Sequence, residues 1–102
     1  MTMIPLEQLR NGAGRLQPGM QKAQVVKELG TPSSETEMMG KQSKESSGIE
    51  LSYYVYRESP TLVNEKKDKW LSLYFDRSGG LVHAYTTIPE LELDPRLRMP
   101  AP

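Results

Sequence analysis

Apolar residues are spaced in two different ways along the chain, and each spacing predicts its own kind of element. From Gln21 to Leu29 (QKAQVVKEL), Val25, Val26 and Leu29 form one stripe among good helix formers, which predicts a helix. Gly30 suits the left-handed position just past such a helix, and Pro32 bars its resumption. Upstream, Leu6 and Leu9 in PLEQLR fit a short helical turn that Asn11, Gly12 and Gly14 would break. In the second half the spacing changes to alternation. Glu50 to Arg57 sets Leu51, Tyr53 and Val55 against Ser52, Tyr54 and Tyr56, and Trp70 to Asp76 sets Leu71, Leu73 and Phe75 against Trp70, Ser72 and Tyr74. Both segments predict strands with one aliphatic face.

Asp76-Arg77-Ser78-Gly79-Gly80 is hairpin chemistry, since Asp accepts from turn backbone and a glycine takes the positive φ after a type I turn. A third strand, Leu81 to Thr87, follows it. Its register has two readings. A three-residue loop puts Leu81, His83 and Tyr85 beside the Leu71, Leu73, Phe75 face, and a four-residue loop puts Val82 and Ala84 there. Ser33 to Gly48 is polar apart from Met38 and Met39 and reads as a mobile loop. Prolines and acidic residues after Thr87 predict an irregular tail. A sheet with one apolar face needs a helical layer over it. The expected architecture is thus α+β: a two-layer sandwich of one or two N-terminal helices on a three-stranded antiparallel meander. The expected organisation is an N-terminal arm over 1–15, a domain over 16–89 with a mobile loop at 33–48, and a tail over 90–102.

Composition narrows the chemistry. Thirteen basic residues offset thirteen acidic ones, so no net field draws the chain to nucleic acid. The chain contains no cysteine and one histidine, which removes thiolate nucleophiles, cysteine zinc sites and most other metal geometries. No cofactor is expected. A triad on His83 would need Ser72 or Ser78 and Asp76 to converge on it, and nothing nearby resembles a nucleophile elbow. The mixed-sign run from Glu65 to Lys69 reads as a solvated loop in preference to an anionic-lipid contact. The first residues lack the n-region and h-region of a leader, so the protein is cytoplasmic or a leader has been left off.

Candidate partner-binding residues are those whose chemistry exceeds what a core needs. Tyr54, Tyr56 and Trp70 lie on the faces opposite the aliphatic residues, where they either cap a second core layer or present an aromatic patch. Arg57, at a strand end, is either a solvated edge charge or an interface anchor. Met20, just before the helix, is a fifth candidate.

Leu16-Gln17-Pro18-Gly19-Met20, Gln24-Val25 and Leu29-Gly30-Thr31-Pro32 come first in an ordered series of short motifs. The aromatic strand Tyr53-Tyr54-Val55-Tyr56-Arg57 and the hairpin from Leu71 to Leu81 complete it. In this order they resemble the SmpA/OmlA (BamE-like) family of small outer-membrane lipoproteins, over Leu16 to Pro89. The resemblance implies helices on an antiparallel sheet and a non-enzymatic accessory role in outer-membrane β-barrel assembly. It implies a periplasmic or outer-membrane location, with barrel-assembly subunits and phosphatidylglycerol as partners. The chain departs from the family in lacking an N-terminal cysteine for lipid and in having Ser52 where a large aromatic is frequent. A protein-binding or inhibitor module on the same fold, with a different partner, is the competing expectation.

Overall fold

The computed structural model describes residues 3–39, 46–59, 61–62, 64 and 66–97. Two helices, α1 (Leu6–Ala13) and α2 (Lys22–Leu29), precede β1 (Ser34–Met39), β2 (Ser46–Tyr56), β3 (Lys69–Phe75) and β4 (Leu81–Thr86). The strands form one antiparallel sheet in the order β1-β2-β3-β4. The α+β helix-on-sheet architecture is as expected, with four strands in place of three.

Helix α2 begins at a reciprocal cap: the Gln21 and Gln24 side chains each accept from the other's backbone N–H, which occupies donors that have no partner within the helix. It ends at Gly30, whose φ is +85°. Helix α1 runs through Asn11 and Gly12, where a break was expected. The reason is packing. A methyl group on Gly12 would stand 2.7 Å from the Glu28 carbonyl oxygen, so this glycine lets the two helices approach. The Gln8 side-chain amide donates to the Leu29 carbonyl, which ties α1 to the C-terminal end of α2.

The described residues of the stretch from Ser33 to Gly48, expected as a mobile loop, lie mostly in strands. Its first part forms β1 and its last part opens β2, with Ser34 opposite Ser52 and Thr36 opposite Glu50; positions 40–45 lie outside the described residues. A strand needs a ladder more than it needs apolar side chains, and β2 supplies the ladder. Glu35 and Glu37 lie on the face that carries Leu51 and Ile49, and Glu35 pairs with Lys22. Charges turned inward at an edge strand oppose the addition of further strands.

The register of β3 with β4 falls between the two expected alternatives. Leu73 faces Ala84 and Phe75 faces Leu81, and the ladder shifts between Tyr74 and Phe75. The bulge puts Leu81 and Ala84 on the core side together. At the turn, the Asp76 carboxylate accepts from the Gly80 N–H at 3.0 Å and from the Ser78 hydroxyl at 2.7 Å. These bonds hold its carboxyl below the ordinary carboxylate range, the Ser78 hydroxyl first among them.

Leu9, Ala13, Val25 and Leu29 join Leu51, Tyr53, Leu71, Leu73 and Phe75 in one buried cluster. Residues 87–97 carry no helix or strand, yet Ile88, Leu91, Leu93 and Leu97 belong to the same cluster. The Leu97 carbonyl accepts from the Ala84 N–H at 2.7 Å, and Met20 and Gly19 exchange backbone bonds with Leu81. Both contacts cover the outer edge of β4.

Candidate functional site

The face of the sheet opposite the helices is built from the residues that alternate with the core. Because β2 and β3 pair Tyr54 with Trp70, Ser52 with Ser72 and Glu50 with Tyr74, this face consists of rows running across the strands. Ser34, Ser52, Ser72 and Tyr85 form the middle row. Small hydroxyl side chains there leave a groove of about 300 Å³, with Tyr54 and Trp70 on one side and Glu50 and Tyr74 on the other. Ser52 and Ser72 are 5% and 3% exposed. Among the described residues no layer covers them; the taller rows shield them.

The aromatic row is stiffened from both ends. The Trp70 ring lies 6.0 Å from that of Tyr85 at 46°, and the Trp70 carbonyl accepts from the Thr86 hydroxyl at 2.8 Å. At the other end the Arg57 guanidinium sits 4.9 Å from the centre of the Tyr54 ring. The Tyr74 phenol feels both the Ser72 hydroxyl and the Glu50 carboxylate, its cross-strand neighbour. Burial raises the Tyr74 pKa first, and the Glu50 carboxylate raises it further.

Arg57 is neither a solvated edge charge nor an exposed anchor. Its Nε is 3.2 Å from Asp68 Oδ2, with both side chains almost sealed from water. Asp68 also accepts from the Asn64 and Glu58 N–H groups, each at 2.8 Å. The Asn64 bond first, then the Glu58 bond and the Arg57 charge, hold its carboxyl below the ordinary range. This cluster pins the connection between β2 and β3. Lys67 in the same connection pairs with Glu58 at 3.2 Å, and Glu65 lies outside the described residues.

The five sequence candidates are thus distributed over different parts of the molecule. Tyr54 and Trp70 wall the groove, and Arg57 braces Tyr54. Tyr56 lies past a ladder shift in β2 and is 49% exposed. Met20 packs against the core cluster and its carbonyl accepts from Leu81 N–H, so it stands apart from the groove. Ser34, Thr36, Glu50 and Tyr85 were not foreseen as lining residues. Alternation had placed Ser52, Ser72 and Tyr74 on the correct faces, but only the pairing of strands brings them into one site. Asp76 and Ser78 are bonded to each other in the turn, and His83 lies opposite Tyr74 and is exposed.

A family model described as the outer membrane protein assembly factor BamE domain matches residues 10–85. The chain belongs to the BamE family. The match runs from the second half of α1 into β4, and every described lining residue of the groove, from Ser34 to Tyr85, falls within it. Comparison with curated proteins finds no match. Among solved structures, one described as an osmotically inducible lipoprotein, OsmE, is similar in fold, with a TM-score of 0.53 and 21% identity over 83% of this chain and 86% of that one.

Proposed function

We propose that this BamE-family chain is a non-enzymatic cell-envelope module that binds protein partners through the open face of its sheet. Membership of the family supports outer-membrane assembly as the setting, at the periplasmic side of the outer membrane. The observation that carries the reading is the groove itself: aromatic walls held by Arg57 and Tyr85 above a floor of Ser52 and Ser72. Preformed aromatic walls bury large area on binding and lose little side-chain entropy, which is how interface hot spots gain affinity.

The test is capture from an envelope extract, comparing the natural chain with Ser72→Phe. A phenyl ring at position 72 fills the floor of the groove from the face away from the core. Outer-membrane assembly components should co-purify with the natural chain and be lost with Ser72→Phe, while the melting temperature changes little. Equal capture by both proteins would remove the groove as the partner site, and recovery of cytosolic enzymes alone would remove the assembly role.

A further inference from the structure

We infer that the groove receives a basic side chain, lysine or arginine, presented by the partner; this deepens the partner-site reading above and rests on it. Among the described lining residues Glu50 is the one charged group, and no cation accompanies it. The rings of Tyr54, Trp70, Tyr74 and Tyr85 line the same groove. Ring faces and a carboxylate both attract cations, and the attraction grows as water is excluded. The surface already shows this preference, since the guanidinium of Arg57 rests over Tyr54. A second cation from outside would repeat the same chemistry on the groove side of the row.

Size agrees with charge. A volume of about 300 Å³ is at the small end for ligand sites, and suits one long side chain whose methylenes run past the rings. Glu50 stands opposite Tyr74 in the ladder, so its carboxylate and that phenol line the groove side by side. Glycans also favour aromatic surfaces. The groove, however, has no asparagine, glutamine or arginine among its described lining residues to match paired sugar hydroxyls, which favours the cation.

Titration of the full chain, followed through the indole N–H signal of its single tryptophan, tests this. The probes are blocked Gly-Arg-Gly and Gly-Lys-Gly, the neutral citrulline analogue, Gly-Glu-Gly and chitotriose. The arginine and lysine peptides should shift the signal saturably at millimolar concentration, and the citrulline analogue should bind about fivefold more weakly or worse. Glu50→Gln should bring arginine most of the way down to the citrulline level, and Ser72→Phe should abolish the response. Equal binding of arginine and citrulline, tighter binding of the glutamate peptide or of chitotriose, or no response to either basic peptide would overturn the inference. The two readings can fail separately. If Ser72→Phe stops capture of assembly components and Glu50→Gln leaves it whole, the partner site stands and the basic occupant falls. If Ser72→Phe leaves capture unchanged, the site itself falls.

Discussion

One sheet presents two unlike surfaces, and β3 carries both. Leu71, Leu73 and Phe75 are sealed on the side of the helices, whereas Trp70, Ser72 and Tyr74 alternate with them on the other side. Burial alone does not distinguish the two, since Ser72 is as hidden as a core residue. What differs is the source of burial. On the core side it comes from a covering layer of helix and tail, and on the open side from neighbours within the same sheet. Among the described residues the open face is shielded by its own tall side chains, so an approach to it requires no unfolding.

The largest effect should come from the covered face. Leu73 is fully buried, so Leu73→Ala should cost about 2–5 kcal/mol through lost transfer energy and the cavity left behind. That corresponds to about 4–8 °C of melting temperature per kcal/mol. A loss under 1 kcal/mol by urea denaturation, taken as about half of the lower bound, would mean that the two faces are not energetically distinct.

Asp68→Asn should rank next, because it leaves the Arg57 guanidinium in its enclosed position without a countercharge. The sign of its pH dependence follows from the lowered pKa. Asp68 contributes stability above its unfolded value of 3.8, and the contribution is lost as pH falls below that value and through the folded one. Acid titration of urea midpoints should therefore be steeper for the natural chain than for Asp68→Asn. Parallel curves would show that the staple does not couple to folding. The same geometry makes Arg57→Ala a poor probe of binding, since it would loosen the connection and unbrace Tyr54 together.

Tyr53 tests the covered face more gently. Its hydroxyl donates to the Gly30 carbonyl at 2.9 Å, so Tyr53→Phe should cost about 1 kcal/mol. Burial pushes the Tyr53 phenol up to about 12. A raised pKa gives stability that is whole below the unfolded value of 10.0 and lost as pH rises through the folded one. The natural chain should thus lose stability between about pH 10 and 12, and Tyr53→Phe should lose less over that window. Tyr53 ionising at its ordinary value in the folded protein would contradict its enclosure.

The smallest effect belongs to Tyr56→Ala. Tyr56 is 49% exposed and lies outside the groove, so its stability should change by no more than about 0.5 kcal/mol. Partner capture should also persist. Loss of capture with Tyr56→Ala at unchanged stability would extend the binding surface past the ladder shift in β2.

The sequence by itself determined the elements whose signals are local. The stripe of Val25 and Leu29, the alternation in β2 and β3, and the Asp76–Gly80 turn each depend on residues within a few positions of one another, and each lies where its pattern placed it. The ordered motifs were sufficient to point to the BamE family. Tertiary structure decided everything that depends on a distant partner. β1 exists because β2 offers a ladder to a polar segment, and α1 continues through Gly12 because α2 needs that approach. Leu91, Leu93 and Leu97 are buried although the tail has no periodicity, because the core accepts apolar side chains from irregular backbone as readily as from helix or strand. The groove belongs to this second group. Alternation fixes which face a serine takes, but only hydrogen-bond register sets Ser34, Ser52 and Ser72 in one row, and register is a property of pairs of strands, not of either strand alone.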